Sequence, residues 1–201
     1  MSETILARRD DRPNQFTREE IGWAPWLEPL TEDELTERHW AGLVEASRAK
    51  SPYFMLLARD PEILEARTKT DMDIFYNRAG GLPRGERELA ATAASRLNGC
   101  IFCGSVHARF ASTYSKRADD VQRLLDEGVG AKLDERWSAV VSAATALSRT
   151  PCEFGPQHVE QLRHVGLDDL VILDAISAAA FFAWANRLML SLGEPTPAAK
   201  G

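Results

Sequence analysis

The feature that most constrains the fold is the helical spacing of the apolar residues. Between Leu82 and Asn98, for example, apolar side chains return every three or four positions, as on one buried face of an α-helix. No sustained segment shows the alternation of apolar and polar residues that is typical of a half-buried strand. The segments between the helical patterns are short. The sequence therefore predicts an all-α fold of eight or nine helices in one domain.

Capping and breaking residues place the individual helices. A capping box at Thr31 opens a helix that is predicted to reach residue 50, and Asp60-Pro61 opens one that is predicted to reach residue 78. Asn98-Gly99 ends the next helix, and another follows directly. Other helices are predicted at 53–58, 118–127, 134–149, 156–165 and 168–192.

Composition and spacing divide the chain into segments. These are an N-terminal arm at 1–30, an N-terminal helical extension at 31–69, the main helical domain at 70–193 and a flexible tail at 194–201. The arm ends in an aromatic and proline-rich patch. Because exposed tryptophan side chains are unfavourable, Trp23 and Trp26 are predicted to pack on this subunit or on a neighbouring one.

Composition and charge exclude several classes of protein. The 201-residue chain has 24 lysine and arginine residues against 30 aspartate and glutamate residues, which gives a formal net charge of −6. This balance argues against nucleic acid or an anionic membrane surface as a partner. Three cysteines are too few, and odd in number, for a disulfide-stabilised secreted domain.

The hydropathy pattern bears on location. Charged residues appear near the N-terminus before any apolar stretch long enough for a signal peptide. The most apolar stretch, residues 170–185, is too short for a membrane span and contains Asp174, so it is predicted to be a buried helix. We therefore expect a cytoplasmic protein with no membrane partner.

Two cysteines form the first candidate site. Cys100 and Cys103 lie at positions i and i+3 of a predicted helix, close enough for a disulfide after modest local adjustment. They also lie in its first turn, where free backbone N–H groups and the positive end of the helix dipole favour a thiolate over a thiol. Since the thiolate is the nucleophilic form, the pair is a candidate redox centre.

An acid and a base accompany this pair. His107 lies one helical turn beyond Cys103 on the same face, where its imidazole can accept a thiol proton directly or through one water. Glu88 belongs to the preceding helix. If the two helices fold back around Asn98-Gly99, Glu88 and His107 differ by only about 3 Å along the axis. A carboxylate that orients the imidazole is therefore geometrically plausible.

These four residues resemble the motif of a known family. Glu88, followed by Cys100-x-x-Cys103 and then by His107, is similar to the active-site motif of AhpD-type alkylhydroperoxidases in the carboxymuconolactone decarboxylase (CMD) superfamily. The resemblance is good over roughly residues 70 to 125, and it implies that the predicted domain at 70–193 is an AhpD-like helical domain.

The neighbouring residues refine the resemblance. Leu82-Pro83 ahead of Glu88, and Asn186-Arg187 in the last helix, look more specifically like the peroxidase-related, CMD-domain branch. One position differs, because Phe102 stands where the AhpD pattern has a second histidine between the cysteines.

The resemblance implies a function. It implies an oligomeric, cysteine-based peroxidase that needs no metal, haem or other cofactor. Cys103 would be the peroxidatic thiol, Cys100 the resolving thiol, and Glu88 with His107 the proton relay. The implied partners are a hydroperoxide substrate and an external dithiol or disulfide reductant.

Other interpretations of the same residues remain open. The superfamily's other activity is lactone decarboxylation, which looks like histidine chemistry without a redox pair. A zinc-binding or structural module could use the two cysteines and His107, although no second Cys-x-x-Cys supplies further ligands. A redox-sensing role in assembly is a third alternative. Cys152 is predicted to be a structural thiol, and Tyr76 and Trp137 are candidates to line a substrate entrance.

Overall fold

The predicted all-α architecture is confirmed by a computed structural model, which describes residues 10–79 and 81–198. In those residues the chain forms nine α-helices and one small sheet. The helices are α1 (Glu37–Leu43), α2 (Pro52–Leu57), α3 (Pro61–Tyr76), α4 (Arg84–Asn98), α5 (Ile101–Ser115), α6 (Ala118–Glu127), α7 (Glu135–Ser148), α8 (Pro156–His164) and α9 (Asp169–Leu192). The strands are β1 (Gly22–Pro25) and β2 (Gly193–Thr196).

The long helix predicted from residue 31 to residue 50 is broken into three pieces. The capping box at Thr31 is present, with its backbone N–H donating to Glu34 at 2.7 Å, but it supports only a 3₁₀ turn at Glu32–Glu34. Thr36 is the N-cap of α1, and its extended backbone cannot lie inside a helix. A second 3₁₀ turn spans Ala46–Lys50. The two capping threonines therefore compete, and the second one starts the α-helix.

The two strands have no counterpart in the sequence prediction, because each is four residues long and neither alternates clearly. They pair antiparallel, with Gly22 opposite Thr196 and Pro25 opposite Gly193. A Cβ atom on Gly193 would lie 2.2 Å from the Trp23 ring, so only glycine permits this approach. Residues 194–196 of the predicted tail thus lie in a strand, and residues 199–201 are outside the described residues.

Trp23 of the arm packs on this subunit. Its side chain is buried and meets the Tyr53 ring edge to face, with the centroids 5.6 Å apart. Because Tyr53 lies on α2, the contact joins the arm to the N-terminal helical extension.

α4 is the central helix of the fold. All residues from Gly85 to Ser95 are buried, and many of them are alanines, which allow neighbouring helices to approach closely. A Cβ atom on Gly85 would lie 2.8 Å from the backbone nitrogen of Ser115, so α5 runs directly against α4 there. The other faces of α4 pack against α7 and α9. This arrangement places α4 and α5 side by side at the centre of the molecule.

α9 has two different faces. By length and composition it is the one helix among the described residues that could cross a membrane. Ala178, Phe182 and Asn186 are buried on one side, where α9 packs against α4 and α7. Leu170 and Leu173 are both 58% exposed on the other side. The prediction of a buried helix is therefore correct for one face only.

Arg87 connects three parts of the chain. Its guanidinium donates to the carbonyl oxygens of Leu82 and Ile74, the latter at 2.7 Å, and it lies 3.2 Å from the Asp174 carboxylate of α9. The same carboxylate accepts the backbone N–H of Leu82 at 2.8 Å. The buried arginine thereby holds the end of α3, the start of α4 and α9 together.

We predict that Arg87→Met lowers the free energy of unfolding by about 3–5 kcal/mol, because it leaves carbonyl groups without their donor and the Asp174 carboxylate without its cation. The midpoint of denaturant-induced unfolding measures this effect. Arg163→Met is the matched control, since the Arg163 side chain is 58% exposed in its ion pair with Asp169. Equal effects of the two substitutions would show that Arg87 does not join the elements.

Candidate active site

α4 and α5 form an antiparallel pair that brings Glu88 to His107. Gly99 ends α4 with a left-handed backbone (φ +79°), which reverses the chain into α5. Nδ1 of His107 donates to Oε2 of Glu88 at 2.6 Å, and both side chains are buried. Because the carboxylate holds Nδ1, the other ring nitrogen of His107 is the one available for proton exchange.

Arg84 completes this polar group, and the sequence reasoning missed it. Nε of Arg84 donates to Oε1 of Glu88 at 3.1 Å, so the two carboxylate oxygens have different partners. The guanidinium lies between the rings of Tyr76 and Tyr114, at 4.2 and 4.1 Å from their centroids. The i,i+4 spacing of Arg84 and Glu88 was the available signal for this ion pair.

The two thiols lie against each other at the start of α5. Cys100 is the N-cap residue, and its Sγ is 2.9 Å from Sγ of Cys103. Both are free thiols and both are buried. Sδ of Met189, on α9, lies 3.4 Å from Sγ of Cys103. The pair is thus enclosed by its own helix and by α9.

The two thiols differ in their acidity. The pKa of Cys100 is lowered, first by its hydrogen bond with Cys103 and then by backbone N–H groups and the Asn186 side chain, against the opposing effect of burial. The pKa of Cys103 is raised well above its ordinary value, mainly by burial and then by the neighbouring Cys100. In the reduced pair, the negative charge therefore forms on Cys100 first.

Asn186 links α9 to the thiol helix. Its side-chain NH₂ donates to Oγ of Ser95 at 3.0 Å, and its carbonyl oxygen accepts from Asn98 at 3.1 Å. The side chain is fully buried and favours the thiolate form of both cysteines. In the sequence, Asn186 belongs only to the family resemblance, and its neighbours in the chain indicate no role at the thiols.

A cavity of about 230 Å³ lies beside these groups. Cys103, His107 and Glu88 line it, whereas Cys100 does not. Its apolar wall is mostly aromatic and includes Phe54, Phe75, Tyr76, Phe102, Phe110 and Phe182, together with Val106, Ala185 and Met189. Tyr76 therefore lies where the sequence analysis placed an entrance residue, while Trp137 is buried elsewhere beneath Arg117.

Four further polar residues reach the cavity from the N-terminal part of the chain, and the sequence reasoning missed all of them. They are Ser51, Tyr53 of α2, and Arg67 and Asp71 of α3. Cys152, by contrast, is an exposed free thiol away from the cavity. Among the described residues, no three His, Cys, Asp or Glu side chains are grouped to hold a metal ion.

The fold and these side chains define a class of protein, namely an all-helical protein with a buried Cys-x-x-Cys pair beside a carboxylate–histidine pair. Residues 61–146 match the model of the carboxymuconolactone decarboxylase family. Together with the structural similarities below, this match supports the AhpD-type CMD superfamily for the part of the chain that carries the site. Among curated proteins, none matches the chain.

Several solved structures share the fold. An uncharacterized peroxidase-related protein from Ralstonia eutropha JMP134, described as an alkylhydroperoxidase AhpD core, is 26% identical with a TM-score of 0.62, over 70% of this chain and 73% of that one. A peroxidase-related protein from Silicibacter sp. TM1040 is 20% identical with a TM-score of 0.64, over 93% and 92%. The debrominase Bmp8 is 16% identical with a TM-score of 0.64, over 82% and 88%.

The acidity difference between the thiols can be measured by titrating thiolate absorbance in a reduced Cys152→Ser background. We expect one thiolate to form below the ordinary cysteine pKa of about 8.5 and the other well above it. Cys100→Ser should remove the step at lower pH. Cys103→Ala should move the Cys100 step upward, because alanine cannot replace the hydrogen bond from the Cys103 thiol. A first step that survives in Cys100→Ser would contradict the assignment.

Proposed function

We propose that the chain is a thiol-dependent hydroperoxide reductase that uses Cys103 and Cys100 as a redox pair. The observation that carries the proposal is the position of Cys103, which lines a cavity together with His107 while its sulfur lies 2.9 Å from that of Cys100. An electrophile in the cavity therefore meets a thiol that has both a base and a second thiol beside it.

Cys103 is the peroxidatic residue in this proposal because it is the cysteine that faces the cavity. Its pKa is raised by burial, so its proton must be removed when substrate binds. His107 accepts this proton, and the Glu88 carboxylate stabilises the resulting imidazolium through Nδ1. Arg84 donates to the other oxygen of Glu88 and so holds this side chain in its orientation.

The reaction balances with these groups alone and one external reductant. The Cys103 thiolate attacks the terminal peroxide oxygen, the O–O bond breaks, and the alkoxide takes the proton from His107 to leave as an alcohol. The Cys100 thiolate then attacks the sulfenic sulfur of Cys103. The S–S bond forms as the S–O bond breaks, and the departing hydroxide takes up a proton to become water. An external dithiol then reduces the disulfide. A reduced thiol pair suits the cytoplasm, which is the proposed location.

Peroxide treatment of the reduced Cys152→Ser protein tests the thiol chemistry. We expect the loss of both remaining thiols as an internal disulfide, and a trappable sulfenic acid on Cys103 when Cys100→Ser is added. Mass spectrometry of the labelled peptides identifies the modified sulfur. A sulfenic acid on Cys100 in the Cys103→Ser variant would reverse the two roles, and full retention of both thiols would rule out the peroxidase.

Glu88→Gln tests the relay. Glutamine keeps the shape of the side chain but cannot stabilise a charged imidazole, so we expect peroxide-driven thiol oxidation to slow by about a hundredfold or more. Stopped-flow measurement of thiol oxidation provides the rate. Glu65→Gln on α3 is the control, because Glu65 pairs with Lys69 away from the cavity. A normal rate in Glu88→Gln would remove the relay from the mechanism.

The alternatives make different predictions for the same variants. A CMD-like lactone decarboxylase would keep its activity in a Cys100→Ser/Cys103→Ser double variant, and a zinc module would contain stoichiometric metal in the purified protein. The thiol peroxidase loses its activity in the double variant and needs no metal.

We also propose that the protein forms a homo-oligomer through the outer face of α9. Leu170, Leu173 and Trp184 lie on one side of the helix and are 58%, 58% and 43% exposed. An apolar helix face of this kind is typical of a subunit interface. Leu173→Glu should give a smaller particle by light scattering, whereas Glu65→Gln should not. A wild-type monomer would contradict the proposal.

A further inference from the structure

We propose that the cavity takes a small apolar hydroperoxide that carries a carboxylate, and that Arg67 and Tyr53 bind this carboxylate. The inference deepens the proposed function, on which it rests, by naming the substrate class of the same site. Nothing in the family motif points to these two residues, since both lie ahead of Glu88 in the N-terminal part of the chain.

Arg67 is a buried cation with unused hydrogen-bond donors. Its side chain is only 8% exposed, and neither Nε nor Nη1 has a hydrogen-bond partner. The nearest carboxylate oxygen, Oδ2 of Asp71, is 3.6 Å from Nη1, which is beyond the usual length of an N–H···O bond. Buried donors are nearly always bonded in native proteins, so unpartnered N–H groups at a cavity indicate a missing ligand.

Aromatic rings hold the guanidinium in place. It lies 5.9 Å from the centroid of Tyr53, 5.5 Å from that of Phe54 and 5.2 Å from that of Phe181. These contacts stabilise the cation without using its N–H groups, because they act through the ring faces. The donors therefore remain available to an acceptor that enters the cavity.

Tyr53 provides a second donor at the same place. Its ring is buried, and its hydroxyl group also has no hydrogen-bond partner. Burial raises the pKa of Tyr53 to about 12, with Arg67 nearby opposing the shift. The hydroxyl is therefore protonated near neutral pH and can donate. A neutral donor beside a cation is a suitable receptor for a carboxylate.

The remaining charges in the cavity specify a single acidic group. Glu88 is bonded to His107 and Arg84, and Asp71 lies next to Arg67, so a ligand with two negative charges would meet two carboxylates. The remaining lining is mostly aromatic and aliphatic. A cavity of about 230 Å³ is also smaller than the usual pocket for a drug-sized ligand. The ligand that fits is compact and apolar, with one carboxylate.

Phe102 contributes to this preference. It lines the cavity at the position where the AhpD pattern has a histidine, so the wall beside Cys103 is apolar there. Phe102 in place of histidine removes a polar side chain from the end of the cavity near Cys103. The polar donors Tyr53 and Arg67 lie on α2 and α3. The cavity is thus arranged for a ligand with an apolar body and a polar end.

A binding experiment that requires no catalysis is the first test. Calorimetry on the reduced wild-type protein should show that 4-isopropylbenzoate binds about tenfold or more tightly than the neutral 4-isopropylbenzamide. Arg67→Met and Tyr53→Phe should each reduce this preference, and Tyr53→Phe removes only one oxygen atom, so it tests the site without a large change in packing. Circular dichroism checks that each variant is folded. Equal binding of the two probes would overturn the inference.

A kinetic experiment separates carboxylate recognition from support of the thiolate. The measured quantity is the ratio of kcat/KM for a benzoic acid that carries a hydroperoxide to kcat/KM for neutral cumene hydroperoxide. We expect Arg67→Met to lower this ratio of the two kcat/KM values about tenfold. If Arg67 serves only to stabilise the Cys103 thiolate, both values fall equally, the ratio is unchanged, and the inference is wrong.

The two experiments also distinguish failure of this inference from failure of the proposed function. If neither hydroperoxide oxidises the thiols, the peroxidase proposal fails. Calorimetry still tests whether Arg67 and Tyr53 bind a carboxylate, because that measurement does not depend on catalysis. If peroxide is consumed but the wild-type protein shows no preference for the acid in either experiment, the peroxidase stands and the carboxylate site is overturned.

Discussion

The hydrogen bond between Glu88 and His107 is the interaction on which the candidate site depends. Both groups are buried, and they come from two helices that are joined by only two residues, the left-handed Gly99 and the N-cap Cys100. The small residues of α4 let α5 approach closely enough for a 2.6 Å bond. The packing of the centre and the orientation of the imidazole are therefore set by the same set of residues. A change that separates α4 from α5 disturbs both.

The thiol pair divides two requirements between two residues. A nucleophile needs access to substrate, whereas a stable thiolate needs donors around it. Cys103 has the access, and Cys100 has the donors, including the backbone at the start of α5 and Asn186. Simple reasoning from the helix end favours Cys100 as the more acidic thiol, and the structure agrees with that reasoning. The family resemblance favours Cys103 as the peroxidatic thiol, and the cavity supports that role. Acidity and access to substrate are different properties, so one cysteine can have the lower pKa while the other is the nucleophile.

The sequence predicts the local part of this site better than the remote part. Cys100, Cys103 and His107 lie at the start of α5 or within it, so their spacing brings them close together. Glu88 meets them once α4 and α5 fold back on each other around Gly99, which the spacing on either side of this residue allows. Tyr53, Arg67 and Asn186 reach the same place through the packing of α2, α3 and α9. No local pattern specifies that packing. The strands were missed for a related reason, since their pairing depends on a glycine that allows Trp23 to lie against the backbone.

The pairing of β1 with β2 has a consequence for how the chain can be shortened. Gly193 lies against Trp23, Trp23 packs on Tyr53, and Tyr53 is part of the cavity wall. Truncation after α9 would therefore remove the support of Trp23 and loosen the far wall of the cavity. A truncated chain that keeps Glu88, Cys100, Cys103 and His107 would still lack β2, which supports the Trp23 and Tyr53 side of the cavity. The part of the chain that shapes this cavity accordingly extends from the arm to Thr196.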